Sequence, residues 1–599
     1  MTSKGDHMTP PAADGILIEA ESFDDFGGWL IDSQFEAEMG SAYLLAHGLG
    51  VPVADAATQI ADVAAGTYHV WVRAKDWVPS HHPGRFGLTI AGTRLEHEFG
   101  ADGLDWSWEA AGIVELAEGN VALALHDLTG FDGRCDAIFL NRSDSTPPNA
   151  EPEMREWRKR QLGLAEEPVD AGRFDLVVVG GGVTGSAAAL TAARLGLSVA
   201  LIQGRPVLGG NASVEIGITP RGETGGIVAE LSARQPNGDL NAVILLGTEP
   251  TAEVFVEQQV FGLHHKDGSI VSVDARHSRT GYESRYFGDT FIDCTGTAIL
   301  GILAGAPTMW GIEAKDQFDE SLAPAEHLDQ HHGNTVFFRT REDEHPATFP
   351  DVPWALDVAK DFASLTGQCS EPGTDNVTGP IAGPARTPDP DTPRRMLIPA
   401  THFWEYGQWN DPYTEAEHIR DHLLCAIYGT FSNVKTMEPE EWANLTLDWV
   451  AHVPGQGEFR RYVGDYVLTE NDIRDHREFP DKVVMNSGAF CLHHPIDPKY
   501  DFRLKDWTWD TRDEEPFEVP FRCLYASTID NLMMAGKHIS VTHVAGSVTK
   551  FMGNGAHHAI ATAAAASLCR DYGATPREIH DHHLGALKEL VDDLLGAGR

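Results

Sequence analysis

Positive charge is in short supply: 45 Lys and Arg stand against 89 Asp and Glu, a formal net charge of −44. A surface that negative repels phosphates, which argues against a nucleic-acid or anionic-membrane partner. The acid excess itself fits solubility or a salty milieu and names no substrate. Cysteine is sparse too, with seven residues at 135, 294, 369, 425, 491, 523 and 569. An odd count without close pairs argues against a disulfide framework, and the lack of any CxxC argues against iron–sulfur clusters and structural zinc. No apolar run approaches the roughly 18 residues of a membrane-spanning helix. The opening MTSKGDHMTPPAADG has no apolar leader core, so a reduced, cytoplasmic protein is the simplest reading. What is present is ample: 42% of the 599 residues are hydrophobic, enough for a large core, and global disorder is excluded. Histidine is plentiful at 28, yet the HH pairs at 81–82, 264–265, 331–332, 493–494, 557–558 and 582–583 share no ligand spacing. HHPG and HHG read as turns, and no metal site is expected.

The first 147 residues read as β-rich. ILIEAESF, TYHVWVRAKDWV, RFGLTIAG, GIVELAEGNVALALHDL and DAIFLNRS alternate apolar with polar residues, with Gly and Asp turns between them. Short, evenly spaced strands suggest an all-β sandwich of jelly-roll type. Such sandwiches present aromatic platforms to sugars, and Trp71, Trp77, Trp106 and Trp108 are candidates, with core packing as the plainer alternative. STPPNAEPEMREWRKRQ (145–161) then changes the texture: a Pro-rich linker and a charged helix, the best boundary in the chain.

From Phe174 a βαβ unit follows: FDLVVVG as a buried strand, GSAAALTAARLG as a small-residue helix, SVALIQ as the next strand. Between the first strand and the helix stands Gly180-Gly181-Gly182-Val183-Thr184-Gly185, a GxGxxG in its proper context. Gly180 permits the tight turn, Gly182 lets backbone N–H groups approach a pyrophosphate, and Gly185 allows close helix–strand packing. Dinucleotide binding is therefore expected. The acid that usually meets the ribose at the end of the second strand is replaced by Gln203, whose amide can still bond hydroxyls.

Further segments carry a resemblance. Leu208-Gly209-Gly210-Asn211-Ala212-Ser213-Val214-Glu215, FIDCTG and LAGA (291–306), EFRRYVGDYVLTENDI (458–473), PFRCLY (520–525) and NLMMAGKHISVTHVA (531–545) occur in order. Together they resemble a large family of FAD-dependent oxidoreductases with a glutathione-reductase-type flavin fold. HHPGRF and ALHDLTGFDGRCDAIFL in the first domain resemble the same architecture, with a carbohydrate-binding-module-like sandwich. The resemblance implies an α/β, Rossmann-like FAD-binding fold with an inserted α+β substrate region, preceded by the all-β sandwich. The implied divisions are 1–147 sandwich, 148–172 linker and helix, 173–310 first part of the FAD-binding domain, 311–519 substrate or cap region, and 520–599 closing segment. The sequence departs from the pattern at Thr297-Ala298, where an acid is common, and at His557-His558, where small or amide residues are expected.

FAD is the implied cofactor, with Gly180, Gly182, Gly185, Gln203, Gly209, Gly210, Asn211, Ser213, Glu215, Thr295, Gly296, Gly536, Gly553 and Asn554 as its expected contacts. The implied chemistry is oxidation of a CH–OH group by hydride transfer to flavin N5, with a histidine as base. His543 is the first candidate, followed by His538 and His558; Arg461 is the candidate anchor for a polar substrate. The partner expected is a small molecule, sugars and glycosides among the candidates. Dehydrogenation or reduction of a C–C or C–N bond, and carbohydrate binding with a structural flavin, stay open beside it.

Overall fold

Alternation of apolar and polar residues turns the N-terminal segment into strands, because every second side chain can then leave water. The computed structural model describes residues 15–103, 105–365, 369–370, 396–399, 404–437, 439–495, 501–504, 506–513 and 515–596. By contact, the chain divides into one unit running to Val169 with His277–Glu283, and a second of Asp170–Arg276 with Ser284 onward.

The first unit holds β1 (Gly15–Glu19), β2 (Leu30–Asp32), β3 (Tyr43–Ala46), β4 (Ala56–Val63), β5 (Gly66–Ala74), β6 (Phe86–Ile90), β7 (Thr93–Arg94), β8 (Ser107–Leu116), β9 (Gly119–Asp127) and β10 (Gly133–Asn141). They form two antiparallel sheets. One runs β2-β3-β10-β5-β8 with β1 also on β10, and the other runs β4-β9-β6-β7. In β9, Val121, Leu123 and Leu125 are buried while Asn120 and Ala122 face out. The run GIVELAEGNVALALHDL, expected as one strand, is two strands in different sheets: β8 ends at Leu116 beside β5, and β9 starts at Gly119, with φ +131°, beside β4 and β6. Helix α1 (Glu153–Leu162) closes the unit, and its Arg158 reaches Asp136 and, at 3.1 Å, Glu19.

The tryptophans correct the platform expectation. Trp77, Trp106 and Trp108 are buried, Trp77 Nε1 donates to the Phe131 carbonyl and Trp108 Nε1 to that of Pro148. Trp71 is half-buried and packs with Trp108 and Trp157. Three of the four rings are therefore buried against their own unit, and only Trp71 keeps part of its surface in water.

The second unit is built on β11 (Val169–Val179), β12 (Val199–Ile202), β13 (Ala252–Phe255), β14 (Gln258–Lys266), β15 (Ser269–His277), β16 (Glu283–Asp293) and β17 (Leu532–Met534). The order is β13-β12-β11-β16-β15-β14, with β17 also on β16. β12 lies parallel to β11 and to β13, and β17 is parallel to β16 through Phe291↔Leu532 and Asp293↔Met534. Leu176–Val178 and Val199–Ile202 are buried without alternation, as a parallel sheet covered on both faces requires. Helix α2 (Val183–Arg194) follows β11, and α5 (Met552–Tyr572) packs against it; alanines and glycines on both helices allow the close approach.

The described residues of 311–519 form short ribbons and one long helix, α3 (Ala416–Met437). Asn334–Thr335 pairs with Glu405–Tyr406, Phe338–Glu342 with Leu445–Val450, and Phe490–Leu492 with Thr508–Asp510. The six cysteines with described side chains, at 135, 294, 425, 491, 523 and 569, are all buried. Among the described residues, no helix is long and apolar enough to cross a membrane.

Candidate functional site

The glycine loop does what its residue types allow. Gly180 takes φ +97°, and a Cβ there would lie 2.6 Å from the Cys294 carbonyl carbon. A Cβ on Gly185 would lie 1.8 Å from the Gly180 carbonyl oxygen, so helix and loop meet only because it has none. Gly182 differs: nothing comes closer than 3.9 Å to a Cβ there, so no packing demands its bareness. It caps α2, and no side chain bonds the first turn. The N–H groups of that turn are therefore left for an anion.

A second glycine pair lies alongside. The Gly209 N–H donates to the Gly181 carbonyl at 2.9 Å, and a Cβ on Gly210 would meet only Gly182, at 3.2 Å. Gly209 and Gly210 both hold positive φ, +117° and +56°. Two stretches of bare backbone thus face each other, a cradle in which added Cβ atoms would take up the room. Gly536 and Gly555 complete its rim: Cβ atoms there would lie 3.5 Å and 2.7 Å from Thr184 Oγ1. The turn after β16 is held by Asp293. Its Oδ1 accepts from the Thr295 N–H and hydroxyl, and its Oδ2 from Tyr462 and Leu300. Gly296, at φ +77°, leaves room for Lys537.

Several expected contacts serve the protein itself. Gln203 accepts from the Gly181 N–H at 2.8 Å and donates to the Val207 carbonyl at 3.0 Å, so it ties the glycine loop to the next turn. Glu215 is held by Arg205 in a two-pronged pair at 2.6 and 3.1 Å. Asn211 exchanges two hydrogen bonds with the Gln456 backbone. Ser213 is buried just behind the turn. Asn554 is a correction: it is fully buried and meets the backbone of Glu223, Ser487 and Val548, which commits its amide. Gly553 is a second correction. Its N–H donates to the Arg221 carbonyl and its face abuts residues 221–223, so it is a packing glycine.

The expected catalytic groups separate sharply. His538 uses both ring nitrogens on backbone, Nε2 donating to the Asp293 carbonyl and Nδ1 accepting from the Ala298 N–H. His558 donates from Nε2 to Asn486, and burial pushes its pKa down to about 3. Arg461 is fully buried, with hydrogen bonds to the carbonyls of Val541, Phe459 and Gly311 and an ion pair to Glu313 at 2.6 Å. His538 and Arg461 spend their polar atoms on the protein itself, while His558 commits Nε2 and keeps Nδ1 without a hydrogen-bond partner. Sequence cannot separate a polar residue that serves the backbone from one that serves a ligand.

His543 is the exception. It opens α4 (His543–Thr549), and its N–H donates to Glu313 Oε2 at 2.8 Å. The preceding Thr542 caps the helix and donates to Glu320. The backbone is thus fixed on both sides. The imidazole is almost fully buried, and neither ring nitrogen has a hydrogen-bond partner. Burial holds its pKa well below the ordinary histidine value; Glu458 opposes this, while Arg461, Lys550 and His494 reinforce it. The ring is neutral near pH 7 and keeps a lone pair.

Beside it lies a group that the linear sequence did not assemble. Lys550 donates to Glu458 at 3.2 Å and to the Cys491 carbonyl at 2.8 Å. Burial works to raise the Glu458 pKa, but Lys550, together with His332, His543 and a backbone hydrogen bond, outweighs it and holds the carboxyl ionised. His493 bridges Glu405, at 2.6 Å, and Cys491 Sγ, at 3.0 Å. Burial works against its charge, yet Glu405 and Cys491 hold its pKa up at about 10. His332 stacks on His493 with centroids 4.2 Å apart. Lys537, pushed down to about 8 by burial, donates to the carbonyls of Gln456 and Gly457. The HH doublets at 331–332 and 493–494 gave advance signal of two of these residues.

A family model described as FAD dependent oxidoreductase matches residues 175–594, most of the chain. The chain belongs to that family. FAD is accordingly the oxidoreductase's cofactor, and the donor set fits it: bare glycine backbone and uncapped helix N–H groups suit a pyrophosphate. No curated protein matches this oxidoreductase. Among solved structures, a flavin-dependent brominase is 12% identical, with 70% of this chain and 84% of that one covered and a TM-score of 0.30. A geranylgeranyl bacteriochlorophyll reductase-like protein of Thermoplasma acidophilum is 12% identical, with 70% and 83% covered and a TM-score of 0.28. A GH26–CBM35 β-(1,4)-mannanase of Podospora anserina is 17% identical over 32% of this chain, with a TM-score of 0.19, and the oxidoreductase spans only 50% of its length.

Proposed function

We propose that the oxidoreductase oxidises a CH–OH group of a small polar molecule, with His543 as the base that takes the hydroxyl proton. The observation that carries this reading is the His543 ring: buried, neutral and with both nitrogens unclaimed, on a backbone fixed by Glu313 and Thr542. FAD, when bound, supplies the two-electron acceptor for the hydride. We read the parallel sheet as a Rossmann-like fold of glutathione-reductase type, with the cradle of Gly180, Gly182, Gly209 and Gly210 for the pyrophosphate. We read the N-terminal sheets as a jelly-roll sandwich of carbohydrate-binding-module type. Polyols, sugars and glycosides are the first substrates to try, because ionised Glu458 and the Lys550 ammonium offer both an acceptor and a donor to hydroxyls.

The test is anaerobic reduction of the FAD-loaded protein by a panel of polyols, sugars, amines and acids. An alcohol in the panel should bleach the flavin. His543→Asn should keep the flavin content and slow that bleaching by about 100- to 10000-fold. Bleaching by amines or saturated acids but by no alcohol would overturn the CH–OH reading. An unchanged rate in His543→Asn would overturn the base.

A further inference from the structure

We propose that His332, Glu405 and His493 bind a divalent transition-metal ion, with zinc the best match to the donors. The three residues come from separate segments: the turn before Asn334–Thr335, the strand Glu405–Tyr406 paired to it, and the end of Phe490–Leu492. All three are buried, and one donor atom from each lies within 4.8 Å of the others.

The hydrogen bonds around them decide which atoms face the shared point. His332 Nδ1 lies 2.8 Å from the Gly333 carbonyl. A carbonyl only accepts, so Nδ1 carries the proton and Nε2 keeps the lone pair. That Nε2 is 4.0 Å from Glu405 Oε1. His493 Nε2 is 3.0 Å from Cys491 Sγ, while its Nδ1 is 2.6 Å from the same Glu405 oxygen. The other carboxylate oxygen, Oε2, is buried and has no hydrogen-bond partner.

Metal-ligating histidines donate their second ring N–H to an outer acceptor, which fixes the ring and its tautomer. Here the Gly333 carbonyl serves His332 and the Cys491 sulfur serves His493. Gly457 guards the first of these: a Cβ there would lie 2.1 Å from His332 Nδ1. Zinc–nitrogen and zinc–oxygen distances of about 2.0–2.2 Å place neighbouring donors roughly 3–3.5 Å apart. The two separations to Glu405 Oε1, 2.6 and 4.0 Å, lie on either side of that range, and the third lies within 4.8 Å, so ligation asks the two histidines to draw in around the carboxylate. The ion takes the place of the proton between His493 Nδ1 and Glu405, and binding releases that proton to solvent. Two imidazoles and one carboxylate leave a fourth position for an oxygen from outside the protein, the ligand count of a reactive rather than a purely structural zinc.

The test uses the full, FAD-loaded chain stripped with a chelator and titrated with Zn²⁺ or Co²⁺, without substrate, so its outcome is separate from the His543 reading. One tightly bound equivalent per chain is expected, with cobalt visible bands of low coordination number. Calorimetry of the unaltered protein in buffers of different ionisation enthalpy should report about one proton released per ion. His332→Ala, Glu405→Gln and His493→Ala should each weaken binding by at least about 100-fold, and Cys491→Ser by about 10- to 100-fold with stoichiometry kept. Flavin absorbance reports whether each variant is folded. No tight equivalent in the unaltered protein, or an equivalent retained at full affinity in the folded ligand variants, overturns the site. In the first case Cys491, His493 and Glu405 form a hydrogen-bonded chain that holds only a proton.

Discussion

The glycine cradle and the buried polar group around His543 work by opposite means. The cradle contributes backbone and withholds side chains: Gly182 and Gly210 face each other across a space that Cβ atoms would fill. The polar group is all side chain, drawn from residues 332, 405, 458, 491, 493, 543 and 550. The cradle is local, since βαβ geometry places its first glycines within one turn. The polar group exists only once five distant segments have packed. A feature held by backbone conformation leaves a short mark in the chain, whereas a feature held by tertiary packing leaves almost none.

The comparison is sharpest where a buried charge supports the polar group. Arg461→Met removes three backbone contacts and leaves Glu313 without its cation, which should cost about 3–5 kcal/mol in chemical denaturation. Since Glu313 also accepts from the His543 N–H, catalytic loss should accompany the instability. A change under about 1 kcal/mol would mean that the pair does not organise this region.

Acid should attack the polar side of the comparison next. His558 has a folded pKa of about 3 against roughly 6.5 when unfolded, so the unfolded chain binds the extra proton. Its contribution is complete above about pH 6.5 and is lost as pH falls toward 3. At pH 4 the loss is about 3 kcal/mol from this one residue. His558→Gln should flatten that part of the stability–pH curve; an unchanged slope counts against a neutral, buried ring.

The cradle is tested by a pair of equal substitutions. Gly185→Ala drives a methyl into the Gly180 carbonyl and should cost about 1–3 kcal/mol, with flavin lost. Gly182→Ala meets only ordinary van der Waals contacts, Gly210 Cα at 3.9 Å being the nearest, so stability should move by under about 0.5 kcal/mol. Its effect should fall on FAD affinity, weakened about 10-fold or more, read by flavin release. If both variants behave alike, one glycine does not pack while the other receives a ligand.

The sequence made legible what spacing controls. The β11–α2–β12 unit, the glycine loop and the strand runs of 254–293 were all visible as apolar pattern plus turn residues. The 310–520 stretch was not, because its ribbons are two to six residues long and carry no period to read. Within the candidate site, His543 was found for a reason that equally favoured His538 and His558. All three are histidines near the closing strand, and only their partners tell them apart. The backbone around Asp293 and the amide of Asn486 absorb two of them. His332 and His493 were seen as doublets and set aside, since 161 positions of chain separate them and no ligand spacing survives that distance.

The clasp between Asn211 and Gln456 links the two regions mechanically. Asn211 closes the second glycine turn, and Gln456 precedes the Gly457 against which His332 rests. Lys537, lodged against Gly296, grips the same Gln456 carbonyl and that of Gly457. Whatever steadies the cradle therefore also steadies the floor under His332 and the peptide that carries Glu458. A cofactor settling into the cradle is therefore felt beneath His332 through a single hydrogen-bonded clasp.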